Sequence, residues 1–128
     1  VFDLLWLASG YFRSAYNTTN TQLWQIDATT RRTYKKDKET TTIDGTAQSY
    51  ENTTFDCAYN LYLMALNAKG SPSGYATVKL YSCQIYDNNV LVRDFVPCYR
   101  KADNVAGLYD LVNGVFYTNA GTGTFNYG

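Results

Sequence analysis

The sequence predicts an all-β protein, an antiparallel β-sandwich, on three observations. Turn dipeptides recur along the chain, among them Asp44-Gly45 and Asn113-Gly114. Asn113-Gly114 lies between apolar runs, and an Asn-Gly pair in that setting is the strongest short-range hairpin signal. Aromatic residues and threonine are abundant, and both suit the half-buried surface of a sheet. No apolar stripe with the helical period runs long enough for a substantial helix.

The first half of the chain is predicted to form short strands. Residues 1–7 are an apolar run compatible with a strand or a buried helical turn, and residues 11–16 are a second strand. Residues 17–20 predict a turn, and residues 23–27 alternate between apolar and polar. Two further segments, 32–36 and 40–43, predict a hairpin, whereas the polar segment 46–56 predicts a loop.

The second half carries the clearest hairpins. Residues 60–67 predict a strand that ends in a long turn region, and residues 75–86 predict the longest strand, with a bulge or two covered faces near Leu80. Turns at 86–90 and at Asn113-Gly114 frame a meander, in which Pro97 is expected to end a strand because proline has no N–H for a ladder. We expect residues 78–85, 90–96 and 105–117 near the centre of the fold.

Length and charge set the broad class. The 128 residues suit one domain, and eleven basic residues balance eleven acidic ones. A neutral chain lacks the basic face that binds nucleic acid, and the basic cluster at 31–38 is interpreted as a solvated strand and turn. No apolar run approaches the roughly 20 residues of a membrane helix, so membrane insertion is not expected.

Cysteine and histidine usage argues against metal and acid–base chemistry. Cys57, Cys83 and Cys98 allow at most one disulfide. The structural interpretation is that all three are small, buried, apolar side chains. The chain has no His and no C-x-x-C spacing, so a zinc site is not expected.

The acidic residues do not form a catalytic pattern. Without His, the commonest general base is missing, and the two glutamates, Glu39 and Glu51, lie twelve positions apart beside turn-like sequence. Asp94 and Asp110 are interpreted as structural, through a backbone hydrogen bond or an ion pair. The sequence therefore predicts a protein that is not an enzyme.

Three segments carry a family resemblance: KLYSCQIYD at 79–87, LVRDFVPC at 91–98 and GLYDLVNGVFYTNAGTGTF at 107–125. They resemble the C-terminal signature of concanavalin A-like (LamG-like) jelly-roll modules, and LYLMALNAKG at 61–70 resembles the strand before it. Such modules occur in phage tail and receptor-binding proteins and in surface proteins of gut bacteria. The resemblance implies a jelly roll that binds a glycan or a protein without catalysis, on a virion tail or fibre or on an extracellular bacterial surface.

The resemblance also implies a missing beginning. Modules of this type open with further strands, whereas this sequence starts on Val1 inside a strand-like run. We expect residues 1–128 to be a single domain from a larger chain, with an exposed sheet edge covered by other domains or chains of the assembly. No cofactor is expected; calcium, which related modules often hold, is the less favoured option, at Asp87-Asn88-Asn89 or Asp103-Asn104.

Glycan binding is the favoured function. A sugar site pairs a flat aromatic face with a few polar groups that orient hydroxyls, and the less family-like first half offers both. The candidate residues are Tyr11, Arg13, Tyr16, Asn17, Asn20 and Trp24. Trp24 also suits a core position. The alternatives are a structural or oligomerisation module of a tail or fibre and, more weakly, a remnant of a glycoside hydrolase.

Overall fold

The structure, a computed structural model, describes residues 2–6, 11–16, 19–25, 27, 29–37, 40–49 and 56–126. These residues form strands and turns without a helix, and every strand pairing is antiparallel, which confirms the predicted all-β antiparallel fold. The strands are β1 (Phe2–Trp6), β2 (Tyr11–Tyr16), β3 (Thr19–Gln25), β4 (Tyr34–Lys36), β5 (Thr40–Ile43), β6 (Thr46–Ser49), β7 (Leu66–Ala68), β8 (Ser71–Ser73), β9 (Cys83–Asp87), β10 (Val90–Arg100), β11 (Val105–Asp110) and β12 (Val115–Tyr117). Nothing within the described ranges forms a helix able to cross a bilayer.

The chain divides into two compact units, Val1–Tyr75 and Ala76–Gly128. The first unit holds the sheets β1-β2-β3, β4-β5-β6 and β7-β8, and the second holds the sheet β12-β11-β10-β9. Each described pairing joins strands that are consecutive in the chain. These antiparallel sheets are consistent with a β-sandwich. A jelly roll also needs crossover connections, which are not among the described pairings, so the jelly-roll topology stays a prediction.

The sheet β4-β5-β6 extends further than the sequence predicted. The hairpin of β4 and β5 is confirmed, but Thr46–Ser49 is a strand rather than part of a loop. The reason is local: Asp44 and Gly45 both have positive φ, 48° and 85°, which closes a two-residue turn that pairs Ile43 with Thr46. Thr41 and Ile43 are buried on one face of β5, so this sheet has its own small core.

Only the end of the segment 60–67, which was predicted as a strand, is a strand in the structure. β7 begins at Leu66, and the expected long turn region is instead a hairpin, because Lys69 and Gly70 adopt positive φ and pair Ala68 with Ser71. The Asn67 side chain braces it: its amide donates to the carbonyl of Asn60 at 2.8 Å and its oxygen accepts the N–H of Gly70 at 2.7 Å.

The second unit is a four-stranded meander built on β10. The predicted turn at 86–90 is confirmed, since Asn88 and Asn89 both have positive φ and pair Asp87 with Val90. The prediction of the longest strand at 75–86 is wrong, because β9 begins only at Cys83 and β10 is longer. The change of apolar phase near Leu80 therefore marks non-strand chain. The bulge lies in β10, where Val92 is the extra residue and has no paired residue on β9.

Pro97 does not end a strand, contrary to the prediction. β10 continues through it to Arg100, pairing Pro97 with Leu108 of β11. The pairing with β9 stops where Cys83 faces Phe95, so Pro97 lies on a stretch of β10 with a neighbour on one side only. Proline is tolerated at such an edge, because its missing N–H breaks no ladder bond on the open side.

The two faces of this sheet differ in character. Phe95 and Leu108 are buried on one face, where Phe95 meets the Tyr117 ring edge-on with centroids 5.7 Å apart. We call it the Phe95 face. The opposite face is called the Asp94 face. Its members in register are Gln84, Tyr86, Asp94, Val96, Cys98, Arg100, Val105, Gly107, Tyr109 and Phe116.

Candidate ligand-binding site

The residues predicted for glycan binding lie on β2 and β3, except Asn17, which is outside the described residues. The register pairs Arg13 with Gln22, Ala15 with Asn20, Phe12 with Trp24 and Tyr16 with Thr19. Directly opposed residues share a face and neighbours along a strand alternate. Tyr11, Arg13 and Asn20 therefore occupy positions of one face, and Tyr16 and Trp24 positions of the other. The register does not bring the predicted set onto one face.

A second group of polar side chains, which was not predicted from the sequence, lies on the Asp94 face. The hydroxyl of Tyr86 donates to Oε1 of Gln84 at 3.1 Å, and Nε2 of Gln84 donates to Oδ2 of Asp94 at 3.2 Å. Gln84 lies directly opposite Asp94 across β9 and β10, and Tyr86 follows two positions along β9. We call Tyr86, Gln84 and Asp94 the polar strip.

The polar strip combines an aromatic ring with free hydrogen-bonding capacity. Tyr86 is 57% exposed, so its ring is open to a ligand. In the described structure, the Asp94 side chain makes one hydrogen bond, which Oδ2 accepts from Gln84. Its other oxygen, Oδ1, has no hydrogen-bond partner among the described residues. Tyr109, on the same face, is also exposed. An open aromatic ring beside oriented polar groups is the arrangement that small polar ligands use.

The position of Asp94 depends on Asp110, whose side chain has no exposed surface. Its Oδ1 accepts the backbone N–H of Asp94 at 3.1 Å and that of Val112 at 3.0 Å, and its Oδ2 accepts the Asn113 amide at 2.6 Å. Burial acts to raise the pKa of Asp110, but the bonds from the Asn113 side chain and from the backbone N–H groups outweigh it, so the pKa lies below its ordinary value. Asp110 is thus a structural residue, as the sequence indicated.

The same network explains the second hairpin. Asn113-Gly114 does join two strands, as predicted, but the connection has four residues and pairs Asp110 with Val115. Asp110 organises this longer loop, because its carbonyl accepts the N–H of Gly114 at 2.8 Å while its carboxylate holds Val112 and Asn113. Asn113 also donates to the carbonyl of Val92 at 3.1 Å, which ties the loop to the bulge of β10.

Asp94 and Asp110 do not form a pair. Residues 94 and 95 alternate, and Asp110 lies opposite Phe95, so the two carboxylates belong to opposite faces of the sheet. The cation nearest to Asp110 is Arg93, with Nε 3.6 Å from Oδ2.

The two loops considered for calcium are committed to other bonds. Asn88 and Asn89 form the β9–β10 turn. Asp103 is held by Arg100, whose Nε and Nη2 donate to its carboxylate at 3.0 and 2.5 Å, and this contact is the main reason that the pKa of Asp103 is lowered. Across the described ranges, no three acidic, histidine or cysteine side chains are grouped as a metal site would need.

An open cleft lies at the far end of the sheet. Its volume is about 410 Å³, and it is lined by Asn104, Val105, Ala106, Thr118, Asn119, Gly123, Thr124 and Phe125. Asn119 donates to the carbonyl of Gly123 and accepts the N–H of Gly121, so its side chain serves the loop that forms the wall. The lining offers no charged group, and the polar strip remains the better-defined site.

The three cysteines are free thiols. Cys83 and Cys98 are half-buried, whereas Cys57 is exposed, so the interpretation of three buried apolar side chains is wrong for Cys57. Burial, and secondarily the charge of Asp94, raises the pKa of the Cys83 thiol.

Comparisons of this chain with protein-family models, with curated proteins and with solved structures find no significant match. A relationship of residues 79–125 to concanavalin A-like modules is therefore a proposal. The signal that could have located the polar strip in the sequence is the alternation in CQIYD, which places Gln84 and Tyr86 on one face of a strand.

Proposed function

We propose that this protein is a non-catalytic recognition module that binds a cell-surface glycan, as part of a phage tail or bacterial surface protein of the concanavalin A-like kind. The observation that carries the proposal is the polar strip: an exposed tyrosine ring beside a hydrogen-bonded amide and carboxylate. Sugars present apolar C–H faces and hydroxyl groups together, and this combination is complementary to both.

The rigidity of the strip supports the proposal. Gln84 and Asp94 lie on paired strands, and the backbone of Asp94 is fixed by Asp110 and by Leu111, whose N–H donates to the Asp94 carbonyl at 2.8 Å. Side chains held before binding lose little conformational entropy when a ligand docks, which favours affinity for a small polar ligand.

The test is a glycan array that includes bacterial surface polysaccharides, probed with the folded chain. We expect selective binding that Tyr86→Ala abolishes. The matched control is Tyr99→Ala, because Tyr99 is similarly exposed at 51% but lies on the Phe95 face of the same sheet. Loss of binding in both variants or in neither would contradict the assignment to the strip. Tyr16→Ala and Trp24→Ala, tested in parallel, decide whether the β2–β3 residues contribute.

A second candidate function is oligomerisation within a tail or fibre, and the Phe95 face favours it. Several of its large apolar side chains remain exposed, namely Tyr99, Val115 and Tyr117. Exposed apolar residues grouped on one face mark interaction surfaces. Light scattering tests this alternative: a stable trimer that Tyr99→Ala dissociates would support it, and a monodisperse monomer would count against it.

A further inference from the structure

We infer that the polar strip selects uncharged sugars with two adjacent hydroxyl groups and discriminates against acidic sugars. This inference rests on the proposed glycan-binding function and names the ligand class. It follows from the direction of the hydrogen bonds in the strip, from the acceptor that the strip leaves open, and from its net charge.

The direction of the hydrogen bonds is set by Asp94. An ionised carboxylate only accepts, so the Gln84 amide must turn Nε2 towards Asp94. Its Oε1 then faces Tyr86, whose hydroxyl must donate its single proton to that oxygen. Outward, the strip therefore offers a lone pair of Tyr86, an N–H of Gln84 and Oδ1 of Asp94: acceptor, donor, acceptor.

A vicinal diol is complementary to this order. One hydroxyl can donate to Oδ1 of Asp94 while accepting the remaining N–H of Gln84, and its neighbour can donate to the oxygen of Tyr86. The bond to Asp94 is the strongest of these, because one partner is ionised. It requires a ligand that donates a proton at that position. A hydroxyl group does so, whereas a carboxylate cannot.

The charged side chains around the strip leave the negative charge of Asp94 in place. Asp87, the residue after Tyr86, alternates onto the Phe95 face and accepts a hydrogen bond from the amide of Asn88, so its charge is not directed at the strip. The neighbouring arginines do not neutralise the strip: Arg93 lies in register with the Phe95 face and approaches Asp110, and Arg100 is bound to Asp103. An acidic sugar seated on the strip would therefore bring like charges together, and neither of the two arginines described on this sheet is placed to compensate.

The experiment compares a methyl glycoside of the neutral sugar that the array identifies with its uronic acid counterpart, which differs only in carrying a carboxylate at C6. Calorimetric titration of the full chain is expected to show binding of the neutral sugar about tenfold tighter, because the uronic acid keeps the same ring hydroxyls but places its carboxylate near the like charge of Asp94. Asp94→Asn should weaken binding of the neutral sugar by about tenfold, as loss of a hydrogen bond to a charged group does, and should narrow the gap between the two sugars.

The control variant is Asp87→Asn, which makes the same change of charge at the end of the neighbouring strand β9, on the opposite face. It should change either affinity by no more than about twofold, as exposed charges usually do. Asp94→Asn keeps the backbone bonds to Asp110 and Leu111, and its circular dichroism spectrum checks the fold. Tighter binding of the uronic acid, or an unchanged ratio in Asp94→Asn, would overturn the inference and leave glycan binding standing. If the folded chain binds no glycan at all, both proposals fail.

Discussion

Gly107 provides the sharpest test of the packing in the second unit. It lies on β11 beneath the ring of Phe116, and a Cβ added there would meet the carbonyl oxygen of Tyr117 and lie 2.5 Å from Cζ of Phe116. Real Cβ atoms essentially never approach another heavy atom within 3.0 Å. The first obstacle is backbone in the paired strand β12. The second is the ring of Phe116, which also contacts the guanidinium of Arg100, 5.3 Å from the ring centroid. Neither can move without disturbing its own contacts.

The expected cost of Gly107→Ala can be estimated from these contacts. Overpacking a filled site costs about 1–3 kcal/mol, and a backbone obstacle places this site near the upper end. Replacing glycine in a strand also reduces the entropy of the unfolded chain, which returns roughly 0.4–1 kcal/mol. The net destabilisation is therefore about 2 kcal/mol, which corresponds to a fall in Tm of about 7 °C for a chain of 128 residues.

Thermal and urea unfolding of Gly107→Ala and Gly121→Ala would measure this effect. Gly121 is the matched control, since its added Cβ would have ordinary neighbours at 3.8 Å and its φ is not positive. We expect the control within about 0.5 kcal/mol of the parent chain. Adding Phe116→Ala to Gly107→Ala should recover part of the loss, because only the ring contact is relieved. Equal stability of the two glycine variants would refute the described packing of β11 on β12.

Two further predictions concern pH and thiol reactivity. Asp27, Asp44, Asp103 and Asp110 all have a pKa below the ordinary 3.8, and the pKa of Asp27 falls to about 2. These carboxyl groups hold a proton more weakly in the folded state than in the unfolded state. The stability that they give the fold is therefore complete above pH 3.8 and is lost as the pH falls through the lowered pKa values. Urea midpoints near pH 7 and near pH 3 should show this loss, and the loss should be smaller in Asp110→Asn; an equal loss in both proteins would contradict the role of Asp110. In alkylation with iodoacetamide followed by peptide mapping, exposed Cys57 should react well before Cys83, whose thiol is half-buried and has a raised pKa. Faster labelling of Cys83 would contradict its placement in β9.

The sequence by itself determined the tight turns and therefore the meander. A positive φ at two successive residues is a local property of Asp, Asn and Gly, so the turns at Asp44-Gly45 and Asn88-Asn89 could be predicted from the sequence, although the strand that follows Gly45 was not. The strand Tyr11–Tyr16 was also predicted from the sequence. The all-β fold class followed from these local signals, without any knowledge of which strands pair.

Tertiary structure decided what each signal produced. Asn113-Gly114 forms a longer loop than the dipeptide alone predicts, because the carboxylate of Asp110 accepts hydrogen bonds from Val112 and Asn113 there. β10 passes through Pro97, because β9 has already ended and leaves that edge open.

The same distinction governs the candidate sites. The residues chosen for their composition on β2 and β3 divide between two faces, whereas Tyr86, Gln84 and Asp94 meet through a cross-strand register. Backbone dihedral preferences depend on a residue and its immediate neighbours, so they can be predicted from the sequence. Register, edges and shared faces depend on partners that lie many residues away, so only the folded chain determines which side chains meet.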